Sequence, residues 1–252
     1  MGRAIAIINQ KGGVGKSTTA ATLAAGIHLK GHKTLAVDLD AQGNLSYTAG
    51  AKTDGATILG VLTGEVKAED AIQHTASGDI IAASKALAGA DAFITDTGKE
   101  YKLKEALEGL RGEYDFIIVD TPPALGILTI NALTACDTII VPAQADIYSL
   151  QGIQQLAETM KPVKKYCNPD LKISGILLTR YNPRSVLSRE VADFAEQLAA
   201  RMGTQVFKTT IREGIAVREA QIRQQTLFSY APKAKVTADY TSFIEELLRK
   251  ES

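Results

Sequence analysis

Cysteine is scarce in this sequence. The two cysteines, Cys136 and Cys167, lie far apart and show no CxxC spacing in the 252 residues. This arrangement excludes a disulfide framework, a zinc site or a cysteine-only cluster within one chain. We expect both thiols to be buried and structural.

Net charge and long apolar runs are also missing. The 28 basic and 28 acidic side chains balance, so the whole molecule has no net field that would attract a polyanion, and any contact with nucleic acid requires a local basic patch. No stretch approaches the roughly 20 apolar residues that span a bilayer, and the N-terminal apolar run is too short for a signal peptide. The sequence therefore predicts a cytoplasmic protein.

Short segments rich in β-branched residues alternate with segments of helical periodicity. The strands are predicted at 4–9, 34–40, 78–83, 115–122, 137–143 and 172–179. The helices are predicted at 17–30, 100–111, 125–135, 147–166, 186–201 and 234–250, and residues 84–99 are expected to be helix plus loop. This alternation favours an α/β fold, a mostly parallel twisted sheet with helices on both faces and ligands at the carboxyl ends of the strands. With no linker in the sequence, we expect one domain over residues 1–252.

A glycine-rich turn, NQKGGVGKSTT, joins the first predicted strand to the first predicted helix. Strand, turn and helix N-terminus are the context of a P-loop, where backbone N–H groups and the helix dipole bind phosphate. We expect Lys16 to reach the β and γ phosphates, Ser17 to ligate Mg²⁺ and Thr18 to donate to the α phosphate. The candidate nucleotide-binding residues are Gly12, Gly13, Val14, Gly15, Lys16, Ser17 and Thr18.

The turn departs from the common GxxxxGK[ST] pattern. Gln10 stands where that pattern has its first glycine, and a second lysine, Lys11, follows it. The sequence therefore predicts a deviant P-loop.

Carboxylates follow two other predicted strands. Asp120 closes the apolar run FIIV, where it is placed to hold Mg²⁺ directly or through water. Asp38 and Asp40 end another strand, and we expect Asp40, which lies farther along, to orient the attacking water. For Asp38 two interpretations stay open, a role at the ligand and a strand-end ion pair.

Four segments in a fixed order resemble the ParA/MinD ATPases and, within them, the ParA/Soj partition branch. They are KGGVGKSTT, DLDAQGN, DTPPALGILTINAL and VPAQADIYSLQG, and the similarity runs from residue 3 to about 248. The resemblance implies hydrolysis of ATP with Mg²⁺ and slow turnover by the protein alone. It makes Lys11 the signature lysine that crosses an ATP-sandwich homodimer to the partner's phosphates. It also makes Asp40 the switch I aspartate, Asp120 the Walker B aspartate and 121–131 the switch II segment.

Partition ATPases of this branch bind DNA non-specifically as ATP-bound dimers. They are released when a ParB-type partner stimulates hydrolysis, which implies a nucleoid-associated location. Arg184 is the first choice for a DNA contact, because the family places such an arginine in the matching turn. The candidates are Arg180, Arg184 and Arg189 around YNPRS and Arg212, Arg218 and Arg223 in IREGIAVREAQIRQQ, with Lys233 and Lys235 just beyond.

Other members of the family differ in function. A MinD-like membrane-cycling or protein-cluster positioning ATPase is the alternative, but the tail FIEELLRKES has adjacent glutamates and is expected to pack rather than to anchor. An iron–sulfur member would bridge subunits through cysteines, and neither cysteine matches such motifs.

Three further expectations concern an N-terminal domain, additional metal ions and the residues beside the adenine. The P-loop begins after ten residues, so no N-terminal helix-turn-helix domain is expected. The histidines at 28, 32 and 74 show no ligand spacing, so no metal beyond Mg²⁺ is expected. Tyr181 or Asn182 is expected to flank the adenine.

Overall fold

A seven-stranded sheet forms the centre of the protein, whose computed structural model describes residues 2–251 without the side chains of Ile147, Leu150 and Glu251. The strands are β1 (Arg3–Ile7), β2 (Thr34–Asp38), β3 (Ile72–Thr75), β4 (Gly78–Ile81), β5 (Phe116–Asp120), β6 (Thr138–Gln144) and β7 (Lys172–Thr179). Their order is β3-β4-β2-β5-β1-β6-β7. Every neighbouring pair is parallel except the β3–β4 hairpin.

The helices lie between the strands and cover both faces of the sheet. They are α1 (Lys16–Leu29), α2 (Asn44–Thr48), α3 (Ile58–Thr63), α4 (Ala90–Phe93), α5 (Lys102–Leu107), α6 (Ile127–Ala135), α7 (Ile147–Tyr166), α8 (Val186–Arg201), α9 (Ile215–Ile222), α10 (Leu227–Tyr230) and α11 (Lys235–Glu251). Alternate residues of β1 enter different cores, Ala4 and Ala6 on one face and Ile5 and Ile7 on the other. The predicted α/β class is thereby confirmed.

Some predicted boundaries were wrong. The helix expected at 100–111 is divided: α5 is short, and 3₁₀ turns occupy Lys99–Tyr101 and Leu110–Gly112. Gly109 and Gly112 at its end disfavour a longer helix. The edge strand β3 and the short helices α2, α3, α9 and α10 were not predicted, because none is long enough to show a clear apolar period.

The C-terminal helix packs against α1. Tyr240, Phe243 and Ile244 of α11 are buried, as expected for a packing helix. At Gly26 of α1 an added Cβ would lie 2.2 Å from Ile244 Cδ1 and 2.8 Å from a ring atom of Phe228. Only glycine allows this approach. Within residues 2–251, no helix is both long and apolar enough to cross a bilayer.

Candidate nucleotide-binding site

The carboxyl ends of the central strands bring the predicted site residues together. In the sheet register, Asp120 of β5 pairs with Ile7 of β1 on one side and with Asp38 of β2 on the other. The P-loop follows β1 directly, so the two carboxylates lie beside it. This is the edge at which parallel α/β sheets bind ligands.

The P-loop has the backbone of an anion site. Gly13 and Gly15 have φ angles of 78° and 90°, in the left-handed region that favours glycine. Gly15 is the N-cap of α1, no side chain caps that helix, and its first turn has no acidic residue. The terminal N–H groups of α1 therefore remain available to phosphate oxygens.

Neighbouring strands hold the loop in place. Thr179 Oγ1 donates to the carbonyl of Val14 at 2.8 Å. Asn9 is fully buried, its Oδ1 accepts from Lys11 N at 3.0 Å and its Nδ2 donates to Pro142 O at 2.7 Å. Asn9 was not predicted as a site residue, because its partner Pro142 is brought near only by the fold.

Lys16 is a buried cation inside the loop. Its side chain is almost wholly removed from solvent, and Nζ donates to the Lys11 carbonyl at 3.2 Å. Burial lowers the pKa of Lys16, whereas the charges of Asp120 and Asp40 oppose that change. Because burial disfavours the charged form of Lys16, an anionic ligand bound beside it would stabilise that charge strongly.

Asp120 fits a metal ion. Both of its carboxylate oxygens are buried and have no hydrogen-bond partner among the described residues. Burial, with the neighbouring Asp38, raises the pKa of Asp120 far above its usual range, and Ser17 and Lys16 act in the opposite direction. Ser17 is thus near this carboxylate, although its hydroxyl makes no well-aligned hydrogen bond to it. A buried, unsatisfied carboxylate suits Mg²⁺, which prefers oxygen ligands.

The protein supplies few metal ligands by itself. No group of three histidine, cysteine or acidic side chains within residues 2–251 could hold a metal ion together. Mg²⁺ at Ser17 and Asp120 would therefore take its remaining ligands from phosphate oxygens and water, as it does in P-loop proteins.

Of the two interpretations of Asp38, the strand-end ion pair is not seen among the described residues, where Asp38 instead accepts hydrogen bonds. Its oxygens accept hydrogen bonds from Asp40 N at 3.0 Å, Ser46 N at 2.8 Å and Ser46 Oγ at 2.7 Å. Burial raises the pKa of Asp38 to about 6. Asp38 holds the loop that presents Asp40, whose own Oδ1 accepts only from Gln42 N within the described residues.

An open cleft of about 560 Å³ lies over the loop. Lys16, Ser17, Asp40 and Arg218 are among its lining residues. A side pocket continues from it between Val14, Thr179, Arg180 and the segment 211–214. Neither Tyr181 nor Asn182 lines the cleft or the side pocket, so the structure gives no support to the expected adenine contacts. Tyr181 packs against the hydrophobic core instead.

Lys11 does not line this cleft. Its Nζ lies 2.5 Å from Asp146 Oδ2 and 5.9 Å from the centre of the Tyr148 ring. Asp146 is the N-cap of α7, where its other oxygen accepts from Ser149 N at 3.0 Å. The two P-loop lysines therefore point to different surroundings.

The DNA-binding candidates fall into two groups. Arg184 and Arg189 are exposed where β7 leads into α8. Arg212 makes an ion pair with Asp239 at 2.6 Å, and Arg218 makes one with Glu213 at 2.8 Å. Arg223 lies 5.9 Å from the Tyr230 ring.

The two cysteines differ in how deeply they are buried. Cys136 is buried, as expected, and burial raises the pKa of its thiol. Cys167 is only half-buried, contrary to the expectation that both would be enclosed. It is the C-cap of α7 and packs, partly buried, against the hydrophobic core.

The fold and the site together define a P-loop nucleotide-binding protein, and comparison with known proteins agrees. A family model described as an AAA domain matches residues 2–173. The sporulation initiation inhibitor protein Soj of Bacillus subtilis is 37% identical, with 98% of each chain covered. The chromosome partitioning protein ParA of Myxococcus xanthus is 36% identical over all of this chain and 90% of its own.

Solved structures give the same result. A Mycobacterium smegmatis protein described as cobyrinic acid a,c-diamide synthase, solved with bound ADP and magnesium, has a TM-score of 0.85 and 36% identity. It covers 99% of this chain and 95% of its own. The cell division ATPase MinD of Pyrococcus furiosus has a TM-score of 0.80 and 27% identity, with full coverage of both chains. This chain belongs to the ParA/MinD family of P-loop ATPases, in its ParA/Soj branch, and its ligands are ATP and Mg²⁺.

Proposed function

We propose that this protein is a DNA-partitioning ATPase. In this proposal ATP drives dimerisation, the dimer binds duplex DNA without sequence preference, and a ParB-type partner stimulates the hydrolysis that releases it. The support is the full-length similarity to Soj and ParA together with the position of Lys11.

The position of Lys11 carries the proposal. Lys16 occupies the loop and its Nζ is buried there, whereas Lys11 is partly exposed and lies against Asp146, outside the cleft of its own subunit. If a second subunit docked over the cleft, Lys11 of each subunit would lie against the phosphates bound by the other subunit. A cation supplied there stabilises the charge of the transferred phosphoryl group. Turnover of the isolated monomer is consequently slow.

The remaining site residues have separate roles in this scheme. The loop residues 12–18 surround the phosphates, with Lys16 on the β and γ groups. Asp40 orients the attacking water, since it lines the cleft and has only one hydrogen-bond donor of its own among the described residues. Ser17 and Asp120 hold Mg²⁺, which neutralises phosphate charge.

Switch II, residues 121–131, connects the site to the surface. Thr121 Oγ1 donates to Ile7 O at 2.9 Å, next to the P-loop. Ile127 N, at the start of α6, donates to Asp91 Oδ1 at 3.2 Å. A change at the γ phosphate would thus reach the exposed segment around α4, where a partner protein has access.

Arg184 and Arg189 are the best-placed DNA contacts. Both are exposed, and phosphate contacts need accessible cations more than particular spacing. Arg212 and Arg218 are engaged by carboxylates, and Arg223 lies against Tyr230. Because the net charge is zero, one subunit offers little attraction, and dimerisation doubles the patch.

The alternative of a membrane-cycling ATPase has less support. The apolar residues Tyr240, Phe243 and Ile244 of α11 are buried in the core, so this face is not free to enter a bilayer. We propose a cytoplasmic, nucleoid-associated location. The cargo, whether chromosome, plasmid, integrative element or protein cluster, is not specified by the site.

Duplex-DNA binding tests the proposal directly. Binding should be measured with ATP, with ADP and without nucleotide, each at two salt concentrations. We expect tight binding only with ATP, weakening steeply with salt. A protein that ignores DNA at low salt with ATP, but sediments with anionic vesicles, would instead be membrane-cycling.

A further inference from the structure

A groove of about 810 Å³ runs between α7 and α8, away from the nucleotide-binding cleft. Within residues 2–251, it shares no lining residue with the cleft over the P-loop or with the side pocket. Two of its lining residues are Lys172, the first residue of β7, and Arg201, the last residue of α8. Since β7, β6 and β1 are parallel, these residues lie towards the edge of the sheet opposite to the P-loop. The groove is therefore separate from the nucleotide site.

The floor of this groove is apolar and rich in methionine. The sequence contains three methionines, and the two after Met1 both line the groove. Met160 is buried, Met202 is half-buried, and Leu198 lies beside them with 9% of its surface exposed. Phe194 is one turn before Leu198 on the same side of α8, and 58% of its surface is exposed. Flexible, polarisable methionine side chains are common on surfaces that bind partner helices.

The rim of the groove is basic. It carries four cations and one carboxylate, Lys161, Lys164, Lys172, Arg201 and Glu158. The carboxylate is already paired with Lys161 at 2.7 Å, whereas among the described residues the other three cations form no ion pair. All three are exposed. In a chain whose basic and acidic side chains balance, this local excess of positive charge complements an anionic partner.

The shape of the groove favours a helix over an extended strand as its occupant. Residues 154–164 of α7 border it, a length of about 15 Å or three helical turns. Pairing along the neighbouring edge of β7 is already taken, because Ile176 N donates to Gln205 O and Phe207 N donates to Ile176 O, both at 2.9 Å. Thr204 Oγ1 also donates to Ile173 O at 2.8 Å. A partner therefore binds through side chains, as an amphipathic helix in a groove does.

We propose that this groove is the docking site for an acidic amphipathic helix of a partner protein. The apolar face of that helix lies on Met160 and Met202, and its carboxylates face Lys164, Lys172 and Arg201. A DNA backbone would use the cations but leave the apolar floor uncovered, so a protein helix fits better. Because the groove is separate from the nucleotide site, the partner remains bound while nucleotide is exchanged.

A synthetic peptide tests the groove on the full-length protein. The probe is a fluorescein-labelled amphipathic helix of about 12 residues, with leucine on one face and glutamate on the other. We expect fluorescence anisotropy to give a Kd on the order of 10 μM that weakens with salt. The same peptide with lysine in place of glutamate should bind at least about tenfold more weakly. Affinity for the acidic peptide should be the same with and without ADP.

Charge reversal locates the peptide. The triple variant Lys164→Glu, Lys172→Glu, Arg201→Glu should weaken binding of the acidic peptide at least about tenfold. Met202→Gln should weaken it a few-fold with unchanged salt dependence, because only apolar contact is lost. The matched control has the same change of net charge at three other exposed lysines, Lys52→Glu, Lys67→Glu and Lys85→Glu. Urea midpoints close to that of wild type would show that the variants are folded.

Three results would overturn the proposal. The first is equal affinity for the acidic peptide in the groove variant and in the control variant. The second is a groove variant that keeps the peptide and loses duplex DNA, which would make the groove a nucleic-acid contact. The third is self-association of the wild type without nucleotide that the groove variant abolishes, which would make it a contact between subunits. None of these results depends on ATP binding or on partitioning.

Discussion

Lys11 and Asp146 form an ion pair that joins the P-loop to the start of α7. Burial by itself would raise the pKa of Asp146, but the hydrogen bonds from Lys11 and Ser149 hold it below its usual value. Lys11, the lysine that would reach the second subunit, is therefore already ion-paired within its own chain. In the proposed dimer, this pair would have to separate before Lys11 could reach the second subunit.

Replacing Asp146 should ease dimerisation. Asp146→Asn keeps a good N-cap for α7 but removes the charge that retains Lys11. We expect ATP-dependent dimers at several-fold lower protein concentration than in wild type, measured by sedimentation velocity. Asp170→Asn, an exposed position, is the control. Weaker dimerisation in Asp146→Asn would show that Asp146 supports the dimer rather than competing with it.

The two P-loop lysines should separate binding from dimerisation. Lys16→Ala removes the buried cation of the loop, so we expect ADP binding to weaken about a hundredfold, or ~2.7 kcal/mol. Lys11→Ala should retain ADP binding within a few-fold and lose ATP-driven dimers. Calorimetry with ADP and sedimentation with ATP provide the two readouts. Intact dimers in Lys11→Ala would refute its role in the second subunit.

Asp40→Ala should stop turnover while phosphate contacts survive. The expected product is an ATP-bound dimer that persists, because the water is no longer oriented. Phosphate release and dimer lifetime are the measurements. Normal phosphate release from this variant would contradict the assignment of Asp40.

Asp38→Ala should act mainly on stability. The change leaves Asp40 N and both donors of Ser46 without their acceptor in a buried position. We expect a loss of roughly 2 kcal/mol in the free energy of unfolding, read from urea denaturation with Asp40→Ala as the control. A larger loss in Asp40→Ala than in Asp38→Ala would reverse the two roles.

Two of the candidate DNA-binding arginines, Arg184 and Arg212, should differ in whether they affect DNA binding or stability. Arg184→Gln should lower the affinity for duplex DNA and reduce the dependence of binding on salt by about one phosphate contact. Arg212→Gln leaves Asp239, whose side chain is largely buried, without its cation, so it should lower thermal stability more than DNA affinity. Filter binding at several salt concentrations, with thermal melts, tests both. Equal DNA affinity in Arg184→Gln and wild type would remove Arg184 from the interface.

The sequence predicts the parts of the site that lie on one continuous segment. Residues 11–18 and the strand ends at Asp40 and Asp120 follow from apolar runs that stop at polar residues. Because parallel strands share a carboxyl edge, these segments had to meet. The β3 sequence IQHT has no apolar run, so an edge strand there left no signal.

Contacts between distant segments could not be predicted. Asn9 with Pro142, Lys11 with Asp146 and Thr18 with Gln221 depend on which strands and helices become neighbours. The same is true of Arg212, which looks like a free cation in the sequence and is paired in the fold. Such pairings are set by tertiary packing, which local pattern does not encode.

The close approach at Gly26 packs α1 tightly against α11. The N-terminal end of α1 borders the phosphate site, and Gly26 in its last turn packs directly on Ile244. Tight interiors transmit small displacements rather than absorbing them. We therefore expect that substitutions in α11 which loosen its packing on α1 would weaken nucleotide binding at the opposite end of α1.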